Sequence, residues 1–82
     1  MSLKVDIVSP EKILYSEEVN SVQVPGSKGR FEILVNHAPI ISSLAEGSIV
    51  CRGKEEYTLD IKGGFLEMSA NSVTICVETE GN

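Results

Sequence analysis

With 82 residues the chain has material for one domain, and a domain this short buries only about 60–65% of its unfolded surface, so its core is thin. Twelve acidic against seven basic residues give a net charge of −5, and the basic residues stand singly, which argues against the clustered cations that neutralise a nucleic-acid backbone. No apolar run approaches the roughly 18–20 residues of a membrane-spanning helix, and no secretory pattern opens the chain, so a soluble intracellular domain is expected.

Aromatic content is 5% without tryptophan, leaving the core to valine, isoleucine and leucine, which favour pleated strands. In chain order, Leu3, Val5 and Ile7 alternate with Lys4 and Asp6, a half-buried strand. Ser9-Pro10-Glu11-Lys12 ends it, because proline cannot donate to a ladder. Val22 and Val24 flank Gln23 in a second run. Val24-Pro25-Gly26-Ser27 then has proline second and glycine third, which predicts a type II turn. Gly26-Ser27-Lys28-Gly29 lacks the phosphate-loop pattern and leads into a strand rather than a helix, so it is read as a hairpin. Phe31, Ile33 and Val35 alternate with Arg30, Glu32 and Leu34, and the strand runs into a corner at His37-Ala38-Pro39, where Pro39 biases Ala38 to extended geometry.

Ser43 to Gly47 has room for one helical turn at most. Arg52-Gly53-Lys54-Glu55 and Lys62-Gly63-Gly64 predict reversals on either side of Tyr57, Leu59 and Ile61. The glycine pair suggests a positive φ or a close backbone approach. Ala70-Asn71-Ser72 predicts a tight hairpin before Val73, Ile75 and Val77. The domain is expected over residues 1–78, with 79–82 a polar, frayed tail. Turn signals about every eight to twelve residues indicate an all-β sandwich or barrel.

The two cysteines fall in opposite phases. Cys51 alternates with Ile49, whereas Cys76 stands with Thr74 and Glu78 against Val73, Ile75 and Val77. One thiol is expected inward and the other outward, which argues against a disulfide. Two distant cysteines and one histidine also lack the close pairing of a zinc site. Free thiols in a reducing compartment are expected.

His37 is the only histidine. A catalytic histidine needs a carboxylate or nucleophile within hydrogen-bond reach, and Glu32 lies five residues upstream, about 16 Å along an extended strand. No nucleophile-elbow glycines surround Ser42 or Ser43. His37 therefore either marks the rim of a rigid corner or is presented there to a protein partner, and both readings stay open. The pairs Glu17-Glu18 and Glu55-Glu56, with Asp60, are spread over different segments and are read as solvated surface and edge protection.

Val24-Pro25-Gly26-Ser27-Lys28-Gly29-Arg30-Phe31-Glu32-Ile33-Leu34, followed by Asn36-His37-Ala38-Pro39-Ile40-Ile41-Ser42-Ser43-Leu44 and Gly47, resembles the signature of the epsilon subunit of F-type ATP synthase. Val5-Asp6-Ile7-Val8-Ser9-Pro10-Glu11, Gly63-Gly64-Phe65-Leu66-Glu67 and Asn71-Ser72-Val73-Thr74-Ile75 resemble that family's first strand, its glycine-pair strand and its last strand. The resemblance implies an all-β, flattened β-sandwich of about ten short strands. It implies a noncatalytic rotor component, without cofactor or metal, that binds the gamma subunit and the c ring on the cytoplasmic face of an energy-transducing membrane. Ser27, Lys28, Gly29 and Arg30, with His37, Ala38 and Pro39, match the family surface that meets those partners. Two departures stand out: Arg30 occupies a position where relatives often have an acid, and Glu32 one where they have glycine. The family's C-terminal helical hairpin is not matched, so neither its inhibitory contacts nor its nucleotide sensing is expected. A freestanding carbohydrate- or peptide-binding β module and a small hydrolase using His37 are the competing readings.

Overall fold

A computed structural model describes residues 1–80. Nine strands follow one another: β1 (Leu3–Val8), β2 (Ile13–Val19), β3 (Ser21–Gly26), β4 (Gly29–Leu34), β5 (Ile40–Leu44), β6 (Gly47–Arg52), β7 (Glu56–Ile61), β8 (Gly63–Ser69) and β9 (Ser72–Glu78). The expected all-β class holds, with nine strands among the described residues against the expected ten or so. No helix forms there. The expected frayed tail falls partly on Gly81 and Asn82, outside the described residues.

The strands form one curled sheet in the order β2-β1-β9-β8-β5-β3-β6-β7, with β4 on the side of β3. Folding over gives a flattened body of 34 × 26 × 18 Å. Period-2 alternation supplies both inner faces. Leu3, Val5 and Ile7, Leu66 and Met68, and Val73, Ile75 and Val77 line one. Val22 and Val24, Ile33, Ile49 and Cys51, and Ile61 line the other. The two ends of the sheet meet where Tyr15 of β2 stacks on Tyr57 of β7, ring centroids 4.1 Å apart. The Asn20 N–H donates to the Arg52 carbonyl (2.7 Å) beside that seam. β1 pairs in parallel with β9, Val5 opposite Val73 and Ile7 opposite Ile75.

Two turn assignments are corrected. Pro25 and Gly26 are not the centre of a type II turn. They end β3, opposite Arg30 and Gly29 of β4, and Ser27 and Lys28 make the reversal. Proline is tolerated in β3 because that strand changes neighbour there. It pairs with β6 only as far as Gln23 and meets β5 at Gly26. The carbonyl of Pro25 accepts from Ala45 N–H (2.8 Å) on the same side, so the missing N–H falls in the gap between the two neighbours. The reversal expected at Lys62-Gly63-Gly64 does not join paired strands: β7 pairs with β6, while β8 pairs with β5 and β9, and the chain crosses from one layer to the other. The close approach expected of the glycine pair is present at Gly64, where a Cβ would stand 2.4 Å from the Cys76 carbonyl oxygen. The reversal after Arg52 and the hairpin at Ala70-Asn71 form as read. Arg52 and Glu56 close β6–β7, and Ala70 and Asn71 turn β8 into β9 with φ of 52° and 63°.

Cys51 is buried and Cys76 exposed, both free. Burial pushes the Cys51 thiol up to about 11. Because the fold retains the protonated form, that contribution to stability is intact below the ordinary thiol value of 9.0 and is lost as pH rises toward about 11. At pH 8 a water-soluble aromatic disulfide should label Cys76 rapidly and Cys51 only once denaturant is added. Two fast thiols in the folded protein would contradict the packing.

Candidate docking edge

Among the described residues, His37 donates its backbone N–H to the Leu34 carbonyl (3.1 Å), and its ring Nδ1 lies 2.7 Å from the Ala38 carbonyl. No carboxylate or hydroxyl is among its partners, so the geometry supplies neither the orienting acid nor the nucleophile of a hydrolase. What the corner has is rigidity. Asn36 adopts φ 68°, a left-handed conformation that asparagine tolerates. Its N–H donates to Asn71 Oδ1 (2.7 Å), and Asn71 Nδ2 donates back to Asn36 Oδ1 (3.1 Å). This reciprocal amide pair ties the turn before His37 to the β8–β9 hairpin, 35 residues away in sequence.

The β3–β4 hairpin is tied down as firmly. Ser27 N–H donates to the Ser43 carbonyl (3.0 Å), and the Ser27 and Ser43 hydroxyls are 2.6 Å apart. Arg30 does not wave free: its Nη1 donates to the Ser48 carbonyl at 2.7 Å, which roots the guanidinium on β6. Gly26 permits the close pairing, since a Cβ there would stand 2.6 Å from the Gly29 carbonyl oxygen.

Ser27, Lys28, Gly29 and Arg30 therefore lie at the start of β4, and His37, Ala38 and Pro39 follow its end. The structure does not bring the two sets together. They bracket a strand of six residues, about 20 Å long, and β5 runs back from the corner to the hairpin. Between them Ile41 is 67% exposed. Sequence reasoning missed Ile41, Ser43, Ser48 and Asn71 as parts of this edge. Ile40 and Ile41 are adjacent, so alternation alone could not say which faces out. The other three act through pairings distant in sequence.

Little favours a freestanding ligand module. Of the four aromatic residues, Tyr15, Phe31 and Tyr57 pack against the core, leaving Phe65 as the exposed ring.

Comparison with known proteins adds to this geometry. The family model described as "ATP synthase, Delta/Epsilon chain, beta-sandwich domain" matches residues 2–80. An ATP synthase epsilon chain from Leptospira interrogans is 48% identical over 77 residues, covering 93% of this chain and 61% of the relative. The epsilon chain of Caulobacter vibrioides is 40% identical over 77 residues, covering 93% of this chain and 90% of the relative. The chain thus spans about three fifths of the Leptospira relative and most of the Caulobacter one. A chain of the Euglena gracilis mitochondrial ATP synthase, in a structure of OSCP, F1 and the c ring, superposes with a TM-score of 0.86 at 18% identity. That match covers 93% of this chain and 50% of the other. A chain of the Tetrahymena thermophila mitochondrial central stalk and c ring gives 0.79 at 17%, covering 95% and 64%. At those identities the structural matches speak for the fold. None of the described residues forms a helix long and apolar enough to cross a membrane.

Proposed function

The chain belongs to the ATP synthase delta/epsilon β-sandwich family, and from that membership we propose that it is a noncatalytic central-stalk subunit coupling c-ring rotation to ATP synthesis. In this reading it binds the gamma subunit and the c ring on the cytoplasmic face of the membrane, within a heteromeric peripheral complex. The observation that carries the reading is the family match over residues 2–80, which includes both the Ser27–Arg30 hairpin and the His37–Pro39 corner. The hairpin would meet the ring and the corner the foot of gamma, one contact at each end of β4. A subunit that passes torque between two partners needs such separated, stiff contacts. Both are held here by hydrogen bonds to residues remote in sequence.

Co-expression with the gamma subunit should yield a complex that survives size-exclusion chromatography, and separate elution at both low and high salt would sink the reading. Arg30→Glu and His37→Ala should each lower proton-driven ATP synthesis by more than their effect on the melting temperature predicts. A parallel loss of synthesis and stability would instead mark both residues as structural and remove them from the interface.

A further inference from the structure

We propose that the groove between the β3–β4 hairpin and β5 seats a carboxylate-bearing segment of the protein that docks on this end of the domain. The proposal rests on the docking role given to this hairpin above, and adds the sign and chemistry of what it meets.

The groove, about 470 Å³, is lined by Lys28 and Arg30, by the hydroxyls of Ser27, Ser42 and Ser43, and by Phe31 and Ile41, with no carboxylate. That is unusual in a chain of net charge −5. Each of the other four cavities described has at least one carboxylate in its wall, and the one beside Tyr15 and Tyr57 has four. Among the described residues Lys4, Arg52 and Lys62 are paired with acids. Of the four described cations outside those pairs, Lys12, Lys28, Arg30 and Lys54, two line this one groove.

The donors are held in place before any ligand arrives. Arg30 spends one guanidinium N–H on the Ser48 carbonyl, which fixes the planar group and leaves its remaining donors available. In the Ser27–Ser43 pair one hydroxyl donates to the other, and the accepting hydroxyl keeps its own O–H to offer an anion. Charge-assisted bonds from such a preorganised set are the strong ones.

A polypeptide suits the groove better than a lipid phosphate because the cations are only one end of a track. Exposed Ile41 is shared with the next groove along β5, which continues past Pro39 and Ile40 and has Glu67 on its far wall. An acidic residue followed by apolar ones fills both ends, whereas a headgroup fills one.

The test measures affinity for the cognate gamma–c-ring subcomplex across a salt series, alongside sedimentation with phosphatidylglycerol vesicles. Arg30→Glu should weaken subcomplex binding by about tenfold or more and flatten its salt dependence, with Arg30→Gln and Lys28→Gln intermediate. Lys54→Gln, on the acidic seam, should change it by less than about twofold. Melting temperatures must stay near wild type for these comparisons, and Lys28→Gln, whose side chain makes no hydrogen bond or ion pair among the described contacts, serves if Arg30 variants are unstable. Undiminished binding by a folded Arg30→Glu would overturn the charge assignment. Ser27→Trp, which blocks the groove by bulk, then separates the two ideas. If it abolishes binding, only the sign is wrong; if it too is neutral, the docking role of the hairpin fails as well. Arg30-dependent sedimentation with protein-free vesicles would overturn the proposal in favour of a lipid phosphate.

Discussion

Gly64→Ala should lower the melting temperature by roughly 12–24 °C, or prevent folding altogether, taking an overpacking cost of about 3 kcal/mol and 4–8 °C per kcal/mol for a domain of this size. The alanine Cβ would stand 2.4 Å from the Cys76 carbonyl oxygen and 3.2 Å from Val77 Cα, so the obstacle is backbone and not a side chain that can swing away. Relief requires β8 and β9 to separate at the Gly64–Val77 pair, next to Leu66 opposite Ile75 in the middle of the core. Gly63→Ala is the internal control. Its Cβ would meet nothing nearer than the Leu44 carbonyl oxygen at 3.6 Å, an ordinary contact. Thermal melts of the pair should therefore diverge sharply, and similar melting temperatures would show that β8 and β9 do not approach so closely.

Leu66→Ala should cost about 2–5 kcal/mol in denaturant unfolding, without change of slope, because it removes a side chain at 0% exposure and leaves a cavity behind. Total stability for a domain of this length is about 4–12 kcal/mol, so the loss takes a large share of it and the unfolding midpoint should fall accordingly. Its neighbour in the chain behaves oppositely. Phe65 is 47% exposed on the outer face, and Phe65→Ser should shift stability by no more than about 1 kcal/mol. A large loss at Phe65 with a small one at Leu66 would mean that β8 is inserted with the wrong face inward.

Those two neighbours show the limit of alternation, since Phe65 and Leu66 are both apolar and their order does not say which is buried. Phase along β9 is a local property, so the inward Val73, Ile75 and Val77 and the outward Cys76 are legible in the order of the residues. Where two apolar residues adjoin, as at Ile40 and Ile41, phase is lost and the exposed one cannot be chosen. Turn chemistry is legible where a turn joins paired neighbours, as at Ala70-Asn71, and misleading where the chain changes partner. Pro25-Gly26 carries every local mark of a type II turn, yet remains in β3 because Gly29 pairs with Gly26 and leaves the reversal to Ser27 and Lys28. Lys62-Gly63-Gly64 carries the marks of a reversal and serves as a crossing between layers.

The proposed docking edge divides in the same way. Hairpin and corner are both recognisable as motifs, and their residues lie next to β4 as their order requires. The contacts that make them stiff are not recognisable. Ser43 for Ser27, Ser48 for Arg30 and Asn71 for Asn36 are 16, 18 and 35 residues distant. The charge of the groove is hidden too, because it depends on which acids fold away from Lys28 and Arg30.

From the sequence come the class of fold, the buried face of the cleanly alternating strands, the opposite fates of Cys51 and Cys76, and the resemblance that named a family. All of these follow from nearest-neighbour alternation and from ordered motifs, which the chain carries wherever it is placed. The tertiary structure alone decided that β1 lies parallel to β9, that Tyr15 and Tyr57 close the seam, and that Asn71 of the β8–β9 hairpin holds the turn before His37. It also decided that one groove of an acidic protein is lined by cations without acids. Each of these depends on pairing between segments far apart in the chain, and a register is chosen only when the whole core closes.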